Sequence, residues 1–113
     1  MNPPSFELDE DGYPTDEQLG AVEKWPYEDC EGLAEYVCNL WHFENWAELR
    51  DWKKDEFGHE YRELRLATAG WSGNEDIVSA LNKNMMFSML CWQSSHRGGL
   101  HIYHIRKLTQ KAS

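Results

Sequence analysis

The chain has 113 residues and a net charge of -9, with 41% apolar and 13% aromatic residues, six of them Trp. That is too apolar for a disordered chain, and the length allows one buried core rather than two. No apolar run approaches the roughly eighteen residues of a membrane span, and Met1-Asn2-Pro3-Pro4 lacks the basic and apolar regions of a signal peptide, so the expected compartment is the cytoplasm.

Charge is divided along the chain. From Met1 to Tyr36 eleven acids face one base, Lys24, whereas from Ile77 to Ser113 there are five bases and no acid. The acidic half repels nucleic acid, and the C-terminal half can hold an anion or a negative surface. Cys30, Cys38 and Cys91 are an odd set without C-x-x-C spacing, which indicates neither a disulfide framework nor a zinc clip.

In chain order, residues 1–14 read as an extended acidic arm, 15–107 as a single globular domain and 108–113 as a basic tail. Glu7, Asp9 and Asp11 alternate as in a calcium loop, but Gln18 stands where that loop needs its last Glu. Thr15-Asp16-Glu17-Gln18 is a capping box that starts a helix with Leu19, Val22 and Trp25 on one face, ended by Pro26. A second helix, from about Glu28 to His42, carries Cys30, Leu33, Ala34, Val37, Leu40 and Trp41 on one stripe. Its Cys30 and Cys38 lie about 12 Å apart along the axis and cannot form a redox pair.

Phe43 to Glu60 is charged and Trp-rich without a dominant period, compatible with a short helical turn or a long excursion. Glu60 to Thr68 alternates as a half-buried strand. Ser72-Gly73-Asn74-Glu75 reads as a second capping box opening a helix closed by Asn82-Lys83-Asn84. Met85 to Ser94 is apolar on both faces, as a central strand is. His96-Arg97-Gly98-Gly99 is then a hairpin turn into an alternating strand from Leu100 to Arg106. The expected fold is α+β: two N-terminal helices, then β-α-β-β, with the helices packed on a small three-stranded sheet.

The helix after the first strand implies that the first two strands run parallel, so their C-terminal ends share a rim. There the helix start, Ser72, Asn74, Ser94, Arg97 and the indoles of Trp71 and Trp92 form a candidate site for a phosphate or carboxylate on a planar group, such as a nucleotide. Each residue also has a sufficient structural job: Ser72 as cap, the indoles as core, Arg97 as a solvated charge. Catalytic combinations are Cys91 with His96, or Ser94 with His96 and Glu75, and no motif fixes either geometry. His101 and His104 face opposite ways on a strand, so no metal or cofactor is indicated.

The stretches Gly70-Trp71-Ser72-Gly73-Asn74-Glu75, Met86-Phe87 and Trp92-Gln93-Ser94-Ser95-His96-Arg97-Gly98-Gly99, with Asp11-Gly12-Tyr13-Pro14-Thr15 and Trp25-Pro26 before them, together form a pattern. It resembles a family of small proteins carried by bacteriophages, prophages and bacterial genomes. The resemblance covers most of the chain outside Phe43 to Glu60. It implies a phage or mobile-element accessory protein in the bacterial cytoplasm, and it brings no catalytic residues. Such proteins often neutralise a host defence or redirect a host enzyme, an analogy of lifestyle only.

The expected function is therefore non-enzymatic: inhibition of a bacterial defence or host factor by binding. Either the rim sequesters a small anionic ligand, or the acidic surface of Glu7, Asp9, Asp11, Asp16 and Glu17 mimics nucleic-acid charge and blocks a bacterial protein partner. A small enzyme acting on a nucleotide or protein through the same rim is the alternative. A homo-oligomer using exposed aromatics is a third option. No direct contact with nucleic acid or membrane is expected.

Overall fold

The computed structural model describes residues 13–41, 46–68 and 70–106. Most of the expected acidic arm and the basic tail lie outside these residues. Four helices and five strands follow in order: α1 (Asp16–Lys24), a 3-10 turn (Tyr27–Asp29), α2 (Cys30–Leu40), β1 (Ala47–Leu49), β2 (Lys53–Lys54), β3 (Glu60–Ala67), α3 (Ser72–Lys83), α4 (Met85–Cys91), β4 (Trp92–His96) and β5 (Leu100–Arg106).

The α+β class and the first helix stand as read from the sequence; the second is shorter than read, since Tyr27–Asp29 is a 3-10 turn, α2 runs over Cys30–Leu40, Trp41 is its extended cap rather than part of the stripe, and His42 lies outside the described residues. The Thr15 hydroxyl accepts from the Gln18 N–H at 3.1 Å and the Gln18 side chain accepts from the Thr15 N–H at 2.8 Å, closing the capping box of α1. Trp25 then leaves the helical conformation ahead of Pro26, because the residue before proline is sterically driven to extended geometry. In α2, Cys30, Leu33, Ala34, Val37 and Leu40 are all buried, which is the i, i+3, i+4 stripe turned inward.

The sheet departs from the expectation. It has five strands rather than three, in the order β1-β3-β5-β4 with β2 also on β3, and every pairing is antiparallel. The charged stretch before Glu60 supplies β1 and β2, whose pairing is carried by main chain rather than by apolar alternation. Arg50 N–H donates to Glu63 C=O at 2.9 Å between them.

A larger correction concerns Met85 to Ser94. Its first seven residues form α4, and only from Trp92 does the chain pair as a strand. No β-branched residue occurs from Met85 to Trp92, whereas Met and Leu are good helix formers. Asn84 supplies the break. It ends α3 in an extended conformation, its side-chain oxygen accepts from Phe87 N–H to cap α4, and its Nδ2 donates to the carbonyls of Val22 and Trp25 at 3.0 Å each.

The helices cover one face of the sheet. Leu64 and Leu66 of β3 and Tyr103 and Ile105 of β5 are fully buried against α2 and α4, while Arg65, Ile102 and His104 between them remain partly open on the other face. The Trp41 indole donates to Ala67 C=O at 3.0 Å and ties the end of α2 to the end of β3.

Because the buried Asn84 amide joins α1, α3 and α4, Asn84→Ala is expected to cost about 2–3 kcal/mol, from the lost cap of α4 and the lost donor to Trp25 C=O and to Val22 C=O, the latter keeping the Trp25 N–H. Urea unfolding should show the midpoint fall with the m-value unchanged. A loss below about 0.5 kcal/mol would deny Asn84 this role.

Candidate functional site

The rim is built from two turns stitched together by main chain. β3 and β4 both run antiparallel to β5 and hence parallel to each other, as the topology argument requires, and β5 lies between them. Beyond the Ala67–Leu100 pair, Thr68 N–H donates to Gly99 C=O at 3.0 Å, and Gly99 N–H donates to His96 C=O at 3.2 Å. Gly99 has φ +90, and a Cβ there would lie 2.2 Å from Thr68 Oγ1. Only glycine allows the turns to meet this closely.

The second capping box does not form. Trp71, not Ser72, is the N-cap of α3, held extended by the preceding turn in which its N–H donates to Thr68 C=O at 2.9 Å. Ser72 is the first helical residue, and its hydroxyl lies 2.9 Å from the Tyr13 hydroxyl. The Tyr13 ring stacks on the Trp71 indole with centroids 4.8 Å apart. The indole lies so close over the helix start that a Cβ on Gly73 would come 2.7 Å from its nitrogen. Asn74 is buried, and its Nδ2 donates to Thr68 C=O at 3.4 Å.

The six rim candidates therefore fall into three places. Trp71, Ser72 and Asn74 are gathered at the start of α3 and engaged within the chain. Ser94 and the exposed Arg97 belong to the hairpin, with Ser94 Oγ 3.0 Å from His96 Nε2. Trp92 lies at the opposite end of β4, opposite Tyr103 and about 13 Å along the strand from His96, with its indole donating to Ser95 Oγ at 2.9 Å.

The catalytic combinations are dispersed in the same way. Cys91 is fully buried at the end of α4, at the far end of β4 from His96. Glu75 acts electrostatically on His101 across the helix-facing side of the sheet. His101 bonds Ser95 Oγ through Nδ1 at 2.8 Å, while His104 stacks on Tyr61 at 4.3 Å on the open side. Among the described residues no three His, Cys, Asp or Glu side chains are grouped to hold a metal ion.

Of the acidic set, Asp16 and Glu17 are exposed on the first turn of α1, and Glu7, Asp9 and Asp11 lie outside the described residues. The structure adds exposed Glu28, Asp29 and Glu35 to this helical ridge. Arg62 reaches it from β3, with Nη1 2.8 Å from Glu31 and 3.9 Å from Glu35, so part of the ridge is neutralised internally.

One surface went unread in the sequence. On α4, Phe87 and Cys91 point into the core, four residues apart, Ser88 is half-buried, and the other four residues point out. Met85 is 70% exposed, Met86 54%, Met89 74%, Leu90 44%, and Trp92 at the start of β4 is 47% exposed. No charged residue occurs between Lys83 and Arg97. The residue types alone signalled it: an apolar run on both faces, free of β-branched residues and opened by Asn, is a helix that cannot bury all of itself in a small domain.

Comparison with protein-family models, with curated proteins and with solved structures finds no match. Among the described residues no helix is long and apolar enough to cross a membrane.

His101 and His104 are both held below the ordinary histidine pKa of 6.5, chiefly by burial, with Glu75 and Glu63 respectively pulling back. Below pH 6.5 the unfolded chain takes up protons that the folded chain refuses, so these groups make stability fall with pH until the folded histidines also protonate. Unfolding midpoints should drop between pH 7 and pH 5, and His101→Gln should flatten part of that slope. A flat profile in the parent protein would contradict the assignment.

Proposed function

We propose that this chain is a non-enzymatic binding protein that acts by stoichiometric occupancy, and that its contact surface is the outward face of α4 with the start of β4. One observation carries the reading: Met85, Met86, Met89 and Leu90 are exposed together on the seven-residue α4, with exposed Trp92 directly after it, whereas the other exposed large apolar residues, Trp46, Trp52 and Phe57, lie among the charges of the 46–60 stretch. Contiguous exposed apolar surface of this kind marks interaction sites, and methionine adapts its shape to an irregular partner. Covering it releases about 25 cal/mol for each Å² of apolar area removed from water.

The order of charges along the chain supports one class of partner. With Lys83 and Arg97 bounding it along the chain, and no acid from Ile77 onward, it suits an apolar protein surface rimmed by acids. That the partner is a bacterial defence or host factor is carried by the resemblance to phage-borne proteins alone. The acidic ridge has a sufficient role in keeping the rest of the surface solvated, and Arg62 already pairs with part of it. The small-enzyme alternative has the Ser94–His96 contact in its favour, without a carboxylate seen orienting that imidazole.

Affinity capture from bacterial lysate followed by native mass spectrometry tests this. A one-to-one complex should survive raised salt and the double change Asp16→Lys with Glu17→Lys. Met89→Glu should weaken it at least about 30-fold, the scale of an interface hot spot. A complex that tolerates Met89→Glu but dissolves in salt would reverse the assignment in favour of the acidic ridge. A homodimer lost in Met89→Glu would put a second copy in the partner's place.

A further inference from the structure

Exposure divides the sulfur atoms of this chain into two groups. Cys30 and Cys91 are buried, and Cys38 is half-buried with its thiol pushed up to about 11 by burial, so little of it is present as the reactive thiolate. Every methionine except Met1 lies on α4, and Met85, Met86 and Met89 are each more than half exposed. At about 100° per residue, Met89 falls one turn above and between Met85 and Met86, so the three thioethers lie on one side of the helix. Leucine would offer a comparable apolar surface without an oxidisable atom, yet the three most exposed positions of α4 all carry methionine.

We propose that a peroxide oxidises Met85, Met86 and Met89 to sulfoxides, which closes the α4 contact surface, and that enzymatic reduction of the sulfoxides reopens it. The switch rests on the proposed role of α4 as the contact surface.

In the oxidation, a thioether sulfur attacks one oxygen of hydrogen peroxide with its lone pair. The O–O bond breaks, an S–O bond forms, and the proton of the attacked oxygen moves to the second oxygen, which leaves as water. Sulfur gives up two electrons and the peroxide takes them. The thioether has no proton to lose first, so exposure sets the order of reaction, and Met85 and Met89 should react ahead of Met86. Each sulfoxide puts a strong dipole on the face. A partner covering that face strips the dipole of water, and an apolar partner surface returns no hydrogen bond. In the reverse direction a dithiol supplies two electrons and two protons, the S–O bond breaks, and the oxygen leaves as water with the dithiol oxidised to a disulfide. The fold should persist throughout, because α4 is held to the core through Phe87 and Cys91, both buried.

The test treats the full chain with hydrogen peroxide until peptide mapping shows sulfoxide at all three methionines. One portion is then repaired with methionine sulfoxide reductases of both epimer specificities and dithiothreitol, and another receives dithiothreitol alone. Each form is compared by the salt at which it leaves phenyl-agarose and by its capture of the bacterial lysate complex. The oxidised chain should leave phenyl-agarose at lower salt and bind at least about tenfold more weakly, with its urea midpoint unchanged. The reductases should restore both properties and dithiothreitol alone neither, which separates thioether from thiol oxidation. Cys38→Ser should respond as the parent does. Oxidation of Cys38 or Trp92 ahead of the methionines, or unchanged phenyl-agarose retention, would overturn the switch. So would full capture by the sulfoxidised chain where Met89→Glu abolishes capture, a result that leaves the contact surface standing. Capture indifferent to Met89→Glu, or no lysate complex at all, removes the contact surface and the switch with it.

Discussion

Three helices depend on one side chain. Asn84 spends its amide nitrogen on the last carbonyls of α1 and its oxygen on the first turn of α4, while its own backbone ends α3. A straight continuation of α3 would carry Met85 to Cys91 off the sheet. The bend at Asn84 instead lays α4 back over β5, where Phe87 packs against Tyr103 with centroids 5.4 Å apart. The outward direction of the three methionines follows from that bend, since a seven-residue helix anchored through Phe87 and Cys91 has one covered side.

The same geometry separates the packed part of this domain from the exposed side of α4. Among the described residues the sheet is covered by helices on one face, and its core is closed by α2, α3 and α4 around Leu64, Leu66, Tyr103 and Ile105. The strand-end rim is stiffened by close packing, with Gly99 against Thr68 and Trp71 under Tyr13, so its polar groups are largely used in holding two turns together. Among the described residues the methionines of α4 have no such internal use, and the proposed contact surface rests on that contrast.

Much of the fold was legible in the residues. The Thr15–Gln18 box and the stripe from Cys30 to Leu40 are local signals, and local signals survive into the structure. So do the alternation of β3 and β5 and the glycine turn between β4 and β5. What failed was ambiguous in period or dependent on distant partners. Met85 to Cys91 is apolar at both helical and strand spacing, and a short run of that kind is settled by residue type and by Asn84, not by periodicity. β1 and β2 are too short and too charged to alternate, and they exist because β3 offers them a main-chain edge. Ser72 reads as a cap until Tyr13, distant in sequence, takes its hydroxyl. The meeting of the two turns at the rim followed from topology, whereas the place of Trp92 depended on where helix gave way to strand, which the strand reading set too early.

The central claim is that the α4 face is covered by a protein partner when the chain works. Hydroxyl-radical footprinting inside bacterial cells, compared with the purified chain, tests it most directly. Protection of Met85, Met86, Met89 and Trp92 in cells, with Tyr27 and Tyr61 reacting equally in both, is the predicted result. Equal reactivity of the three methionines in cells and in isolation would contradict the account.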